Sequence, residues 1–102
     1  MSINKKFLKS KPVCKVTFKV PKLQANGAET VQVLGDFNSW SPDSKPMRSL
    51  KNGSFTTTLD LEQGNEYQFR YLIDGKIWDN EVDADKQVPS PFADAQNSVL
   101  VV

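Results

Sequence analysis

The feature that most narrows what this chain can fold into is a period of two. Cys14, Val16, Phe18 and Val20 alternate with Lys15, Thr17 and Lys19, the pattern of a strand with one buried face. Val31 and Val33 continue it after a loop that contains Asn26-Gly27. Phe55, Thr57, Leu59 and Leu61 alternate with Thr56, Thr58 and Asp60; Tyr67, Phe69, Tyr71 and Ile73 alternate with Gln68, Arg70 and Leu72. Ser98 to Val102 close the sequence as a β-branched apolar run. No window carries a 3.6-residue stripe of helical length. Turn signals separate the runs. Asn52-Gly53 and Asp74-Gly75 readily take the positive φ angles of a type I′ hairpin, and Gln63-Gly64-Asn65 makes a slightly longer hairpin connection. Strands recurring roughly every ten residues predict a single all-β domain, a β-sandwich, and not βαβ units.

Composition then removes chemistry. The 102 residues can close one hydrophobic core without staples. They include no histidine, which excludes Ser-His-Asp and Cys-His nucleophile systems and every His-ligated zinc site. The one cysteine, Cys14, has no internal disulfide partner and stands at an inward strand position, where a core role is expected. Thirteen basic and twelve acidic residues leave a net charge of +1, so no global field selects nucleic acid or anionic lipid. Seven of the basic residues are lysines within the first 22 positions, read as solvated charges on a tail and an edge strand. Residues 1–12 are expected to form an N-terminal tail or extension, and 13–102 the domain. The start lacks the apolar run of a secretory signal and no stretch approaches a membrane span, so the expected compartment is the cytoplasm.

Aromatic residues divide into two groups. Phe18, Phe55, Tyr67, Phe69 and Tyr71 stand at inward positions and belong to the core. Trp40, in Gly35-Asp36-Phe37-Asn38-Ser39-Trp40, and Trp78, in Lys76-Ile77-Trp78-Asp79-Asn80, lie instead in polar segments expected to be loops; at least one should be exposed. A flat indole can cover the C–H face of a pyranose while neighbouring amide or guanidinium groups bond its hydroxyls. The same rings could stack nucleobases or anchor a protein partner.

Two ordered blocks carry a resemblance. Leu34-Gly35-Asp36-Phe37-Asn38-Ser39-Trp40, then Tyr67-Gln68-Phe69-Arg70-Tyr71-Leu72-Ile73-Asp74-Gly75 and Trp78, resemble the family-48 carbohydrate-binding modules. These include the glycogen-binding domain of the AMP-activated protein kinase β subunit and the N-terminal early-set domains of isoamylases and branching enzymes. The resemblance runs from about Val13 to Val102. It implies an immunoglobulin-like early-set sandwich that binds α-1,4-glucan, with Trp40 and Trp78 matching the sugar platform. Arg70 matches a sugar-bonding lysine and Asn97 a sugar-contacting asparagine; Lys76 is a weaker candidate. In this sequence Trp78 is three residues after Gly75, where the kinase modules have two, so its ring could be reoriented. The family's glucan-pressing leucine has no direct counterpart, and either Phe92 substitutes or the contact is absent.

The acidic stretch Asp79–Asp85 is read as a solvated loop, since Ala84 and Ser90 stand where a calcium loop needs glycine and glutamate. No paired carboxylates, metal site or cofactor site is expected. The sequence thus predicts a non-catalytic, free-standing α-glucan-binding module, monomeric or weakly dimeric, without nucleic-acid or membrane partners. The competing expectation is an interaction or scaffold domain that has lost sugar binding and associates with a glucan-metabolising enzyme or a second copy.

Overall fold

Each alternating run becomes a strand, and the strands pair in two antiparallel sheets. The computed structural model describes residues 3–90 and 96–102. The strands are β1 (Ile3–Phe7), β2 (Val13–Val20), β3 (Val31–Gly35), β4 (Arg48–Ser49), β5 (Phe55–Glu62), β6 (Glu66–Ile73), β7 (Ile77–Asp79), β8 (Lys86–Pro89) and β9 (Gln96–Val101). One sheet has the order β1-β2-β5-β4; the other has β3-β6-β9-β8, with β7 also paired to β6. Between β2 and β3 lies a single helical turn, α1 (Lys22–Ala25), which ends at Asn26 in the left-handed region.

The inward positions fill one core. Phe18 and Phe69 meet edge to face at 5.3 Å, and Phe69 and Tyr71 at 5.9 Å. Such geometries place a positive ring edge against a negative face. Cys14, Val16, Val20, Val31, Val33 and Leu100 complete the packing. Phe18, Phe55, Phe69 and Tyr71 are buried as their parity predicts, while Tyr67 is half-buried at the rim. Burial pushes the Cys14 thiol above its ordinary value, consistent with an inert core residue.

Several segments depart from expectation. Ile3–Phe7, within the expected tail, pairs along its length with β2 and buries Ile3 in the core. Asn52-Gly53 is not a type I′ turn. The Gly53 N–H donates to Leu50 O and the Leu50 N–H to Ser54 O, with a positive φ at Gly53 and not at Asn52. That is a three-residue loop closed by a left-handed glycine. Gln63-Gly64-Asn65 does not join a hairpin but crosses from one sheet to the other. Asp74-Gly75 does form the expected turn, with φ of 53° and 66° and a Lys76 N–H bond to Ile73 O. No helix among the described residues is long and apolar enough to cross a membrane.

The acidic stretch holds the largest surprise. Glu81 is fully buried. Its carboxylate accepts bonds from the Tyr71 hydroxyl at 2.8 Å and the Asp83 N–H at 2.9 Å, and its own N–H donates to Ser98 Oγ. The stretch is therefore not a uniformly solvated loop. One of its carboxylates is held inside the sandwich, because two donors, the Tyr71 hydroxyl and the Asp83 N–H, compensate its removal from water.

Candidate functional site

The Trp40 turn is built by division of labour. Gly35 lets the chain pass β6 closely: a Cβ there would lie 2.5 Å from Gln68 O and 2.7 Å from Phe69 Cβ. Phe37 turns inward against Phe18, Tyr67 and Phe69. Asn38 ties the turn to β3, accepting from the Gly35 N–H at 3.0 Å and donating to Val33 O at 2.9 Å. Ser39 and Trp40 follow at φ of 57° and 56°, a region that costs a bulky residue on the order of 1–3 kcal/mol. Asp36 offsets this cost. One carboxylate oxygen accepts the Trp40 indole N–H at 3.0 Å and the other the Gln68 backbone N–H at 2.8 Å. Gln32 braces the loop beyond, donating to Pro42 O and Ser44 O.

Trp78 stands on β7 and not in a loop, opposite Leu72. Leu72 has outward parity, so the additional residue after Gly75 leaves the ring on the outer face. It is 46% exposed, and Trp40 is half-buried. The two indoles meet with centroids 6.4 Å apart and planes tilted by 52°. The Arg70 guanidinium lies 5.8 Å from the Trp78 centroid, within reach of its electron-rich face. Arg70 Nε donates to Asn97 Oδ1 at 2.6 Å, and Asn97 Nδ2 donates to Gln68 Oε1 at 3.0 Å.

Four of the five predicted residues thus gather on the outer face of the second sheet. Asn97 is only 5% exposed and both its amide atoms are engaged, so its geometry is that of a brace for Arg70 and Gln68. Lys76 is exposed in the hairpin turn and joins the cluster through no hydrogen bond, ion pair or ring contact. Phe92 lies outside the described residues. Gln68 and Asp36 were not singled out from the sequence, although Gln68 shares the outward parity of Arg70 two residues away. A floor was missed as well. Leu34, Leu72 and Val99 are buried yet lie outside the core cluster, standing opposite Arg70, Trp78 and Gln68 in the register. The site residues cover an apolar sheet face that alternation alone assigns to solvent.

Two indoles, a guanidinium and a chain of amides thus share one outer face of an immunoglobulin-like sandwich. Residues 22–101 match the family described as the glycogen recognition site of AMP-activated protein kinase, and the chain belongs to that family, among the family-48 modules. A relative is Protein PTST, chloroplastic, of Arabidopsis thaliana, 43% identical over 51 residues that make up 48% of this chain. The chain spans 18% of the length of that relative.

Proposed function

We propose that the chain is a non-catalytic module that holds α-1,4-linked glucan on the outer face of the second sheet. Trp40 and Trp78 stack on glucose rings, and Arg70 and the free amide nitrogen of Gln68 donate to sugar hydroxyls. Asn97 acts through these two by fixing their positions. Lys76, at the rim, reaches only a longer chain. The observation that carries this reading is the meeting of the two indoles 6.4 Å apart on a sheet face floored by buried apolar residues. Their 52° tilt suits a curved chain better than a flat one. An open face desolvates only part of a few sugars, so affinity for a short oligosaccharide is weak. The cytoplasm is the compartment we assign, where glycogen-type glucan is the natural polymer.

Intrinsic fluorescence titrated with maltoheptaose or β-cyclodextrin tests the proposal. The wild-type chain should respond at millimolar sugar, and Trp40→Ala and Trp78→Ala should each raise Kd about tenfold or more with unfolding temperature little changed. Retention on a glycogen affinity gel should fall in parallel. If both folded variants bind as the wild type does, the platform assignment fails. If the wild type itself gives no response, the face serves as a protein contact instead.

A further inference from the structure

The second sheet carries the indoles; the first carries a cleft. β4 pairs with β5 only at Phe55 and Thr56, so from Thr57 onward the outer edge of β5 has no strand beside it among the described residues. Along Thr57 to Leu59 this edge lines a cavity of about 700 Å3, a volume within the range of small-molecule sites. The opposite wall is the segment Ser44–Arg48, and Val33, Pro46 and Leu59 supply apolar surface.

Two observations point to what the cleft accepts. Thr57 pairs with Phe18 and has the parity of a core residue, yet it is only half-buried and its hydroxyl makes no hydrogen bond among the described residues. A hydroxyl directed to a core position normally finds a partner; here the cleft reaches it instead. Lys45 and Arg48 line the same space with no carboxylate among the lining residues and no ion pair to any described one. Cations without counter-charges, beside hydroxyls and a strip of apolar surface, match a polyhydroxylated ring that bears a dianion.

We propose that this cleft is a second ligand site, separate from the tryptophan face, that takes a hexose phosphate monoester. Lys45 and Arg48 hold the phosphate, Thr57 and the unpaired edge of β5 bond the ring hydroxyls, and Val33 and Leu59 lie against its C–H surface. The monoester can come from a free sugar phosphate or from a phosphorylated glucose unit within a glucan.

Amide chemical shifts of the full chain distinguish the outcomes. Glucose 6-phosphate should move Lys45, Arg48, Thr57 and Thr58 and saturate at millimolar concentration, with glucose and inorganic phosphate each about fivefold weaker or more. Lys45→Gln and Arg48→Gln should each weaken glucose 6-phosphate about fivefold. Thr57→Val should weaken glucose 6-phosphate but not inorganic phosphate. Trp40→Ala should leave this binding intact, so its success or failure is independent of the tryptophan face. Tighter binding of a phosphorylated maltooligosaccharide would support the proposal with a glucan-borne source, and equal binding would support it with a free one. Shifts confined to the tryptophan face, or equal binding of inorganic phosphate and glucose 6-phosphate, overturn it. So does an acidic extended peptide that moves the β5 edge more strongly than the sugar phosphate does, since the edge would then be a site of strand addition.

Discussion

Gly35 and Asp36 fix the turn that carries Trp40. Gly35 has an extended backbone that any residue could adopt, so its identity is required by space and not by conformation. The two nearest atoms that would meet a Cβ belong to the β6 main chain and to the Cβ of Phe69, and neither can rotate away. Gly35→Ala should therefore destabilise the domain by about 2–3 kcal/mol, the cost of overpacking, read as a lowered urea midpoint. Asp36 acts on the opposite side of the same turn. Its two oxygens join the Trp40 indole to the β6 backbone, so the indole's position depends on a residue that need not contact sugar.

At the level of elements, the β6–β7 hairpin decides whether two rings can share one face. Asp74 adopts the left-handed conformation, and its carboxylate accepts the Glu29 and Thr30 N–H groups at 2.8 and 3.0 Å. Asp74→Ala should cost about 1–2 kcal/mol by denaturant unfolding, through loss of charge-assisted bonds at a strained turn. The hairpin also shows how much was legible in the sequence. Asp74-Gly75 named its turn, and the alternation of Tyr67 to Ile73 placed Arg70 outward. β7, at three residues, and β4, at two, are too short for periodicity to register and exist through their pairing partners. The burial of Glu81 was hidden because its partners come from β6, a loop and β9: the Tyr71 hydroxyl and the Asp83 N–H donate to its carboxylate, and Ser98 Oγ accepts its own N–H. A carboxylate in a run of acids reads as solvated until the fold brings those partners to it. The resemblance drew attention to Asn97, but its place as a brace was not legible, since that depends on Arg70 and Gln68 of the neighbouring strand.

At the scale of the whole molecule, two carboxylates give stability opposing dependences on pH. Burial holds Glu81 above its ordinary value of 4.5, only partly offset by the Asp83 N–H and the Tyr71 hydroxyl. The folded state therefore binds its proton more tightly than the unfolded state does, and stability is lost as pH rises from 4.5 through the raised value. Burial also pushes Asp85 upward, but the Lys5 ammonium at 2.6 Å and the Val101 N–H outweigh it and hold Asp85 below its ordinary 3.8. Its contribution is present above 3.8 and lost as pH falls through the lowered value. Urea midpoints measured from about pH 3 to pH 8 should pass through a maximum between these limits. Glu81→Gln should flatten the alkaline limb, and Asp85→Asn the acid one. The Lys5–Asp85 pair also joins β1 of the first sheet to the segment leading into β8 of the second, so acid loosens a clasp between the sheets. The shortness of β7 has a consequence in time. A strand secured by three register pairs, with Gln24 bonded to Asp79 and Asn80 at its far end, is expected to open more often than the domain unfolds. One indole is fixed by the Asp36 anchor while the other rides on this flap, so the two rings make a half-mobile jaw. A chain lying across both would hold the flap shut, and part of its binding energy would go into stilling that motion.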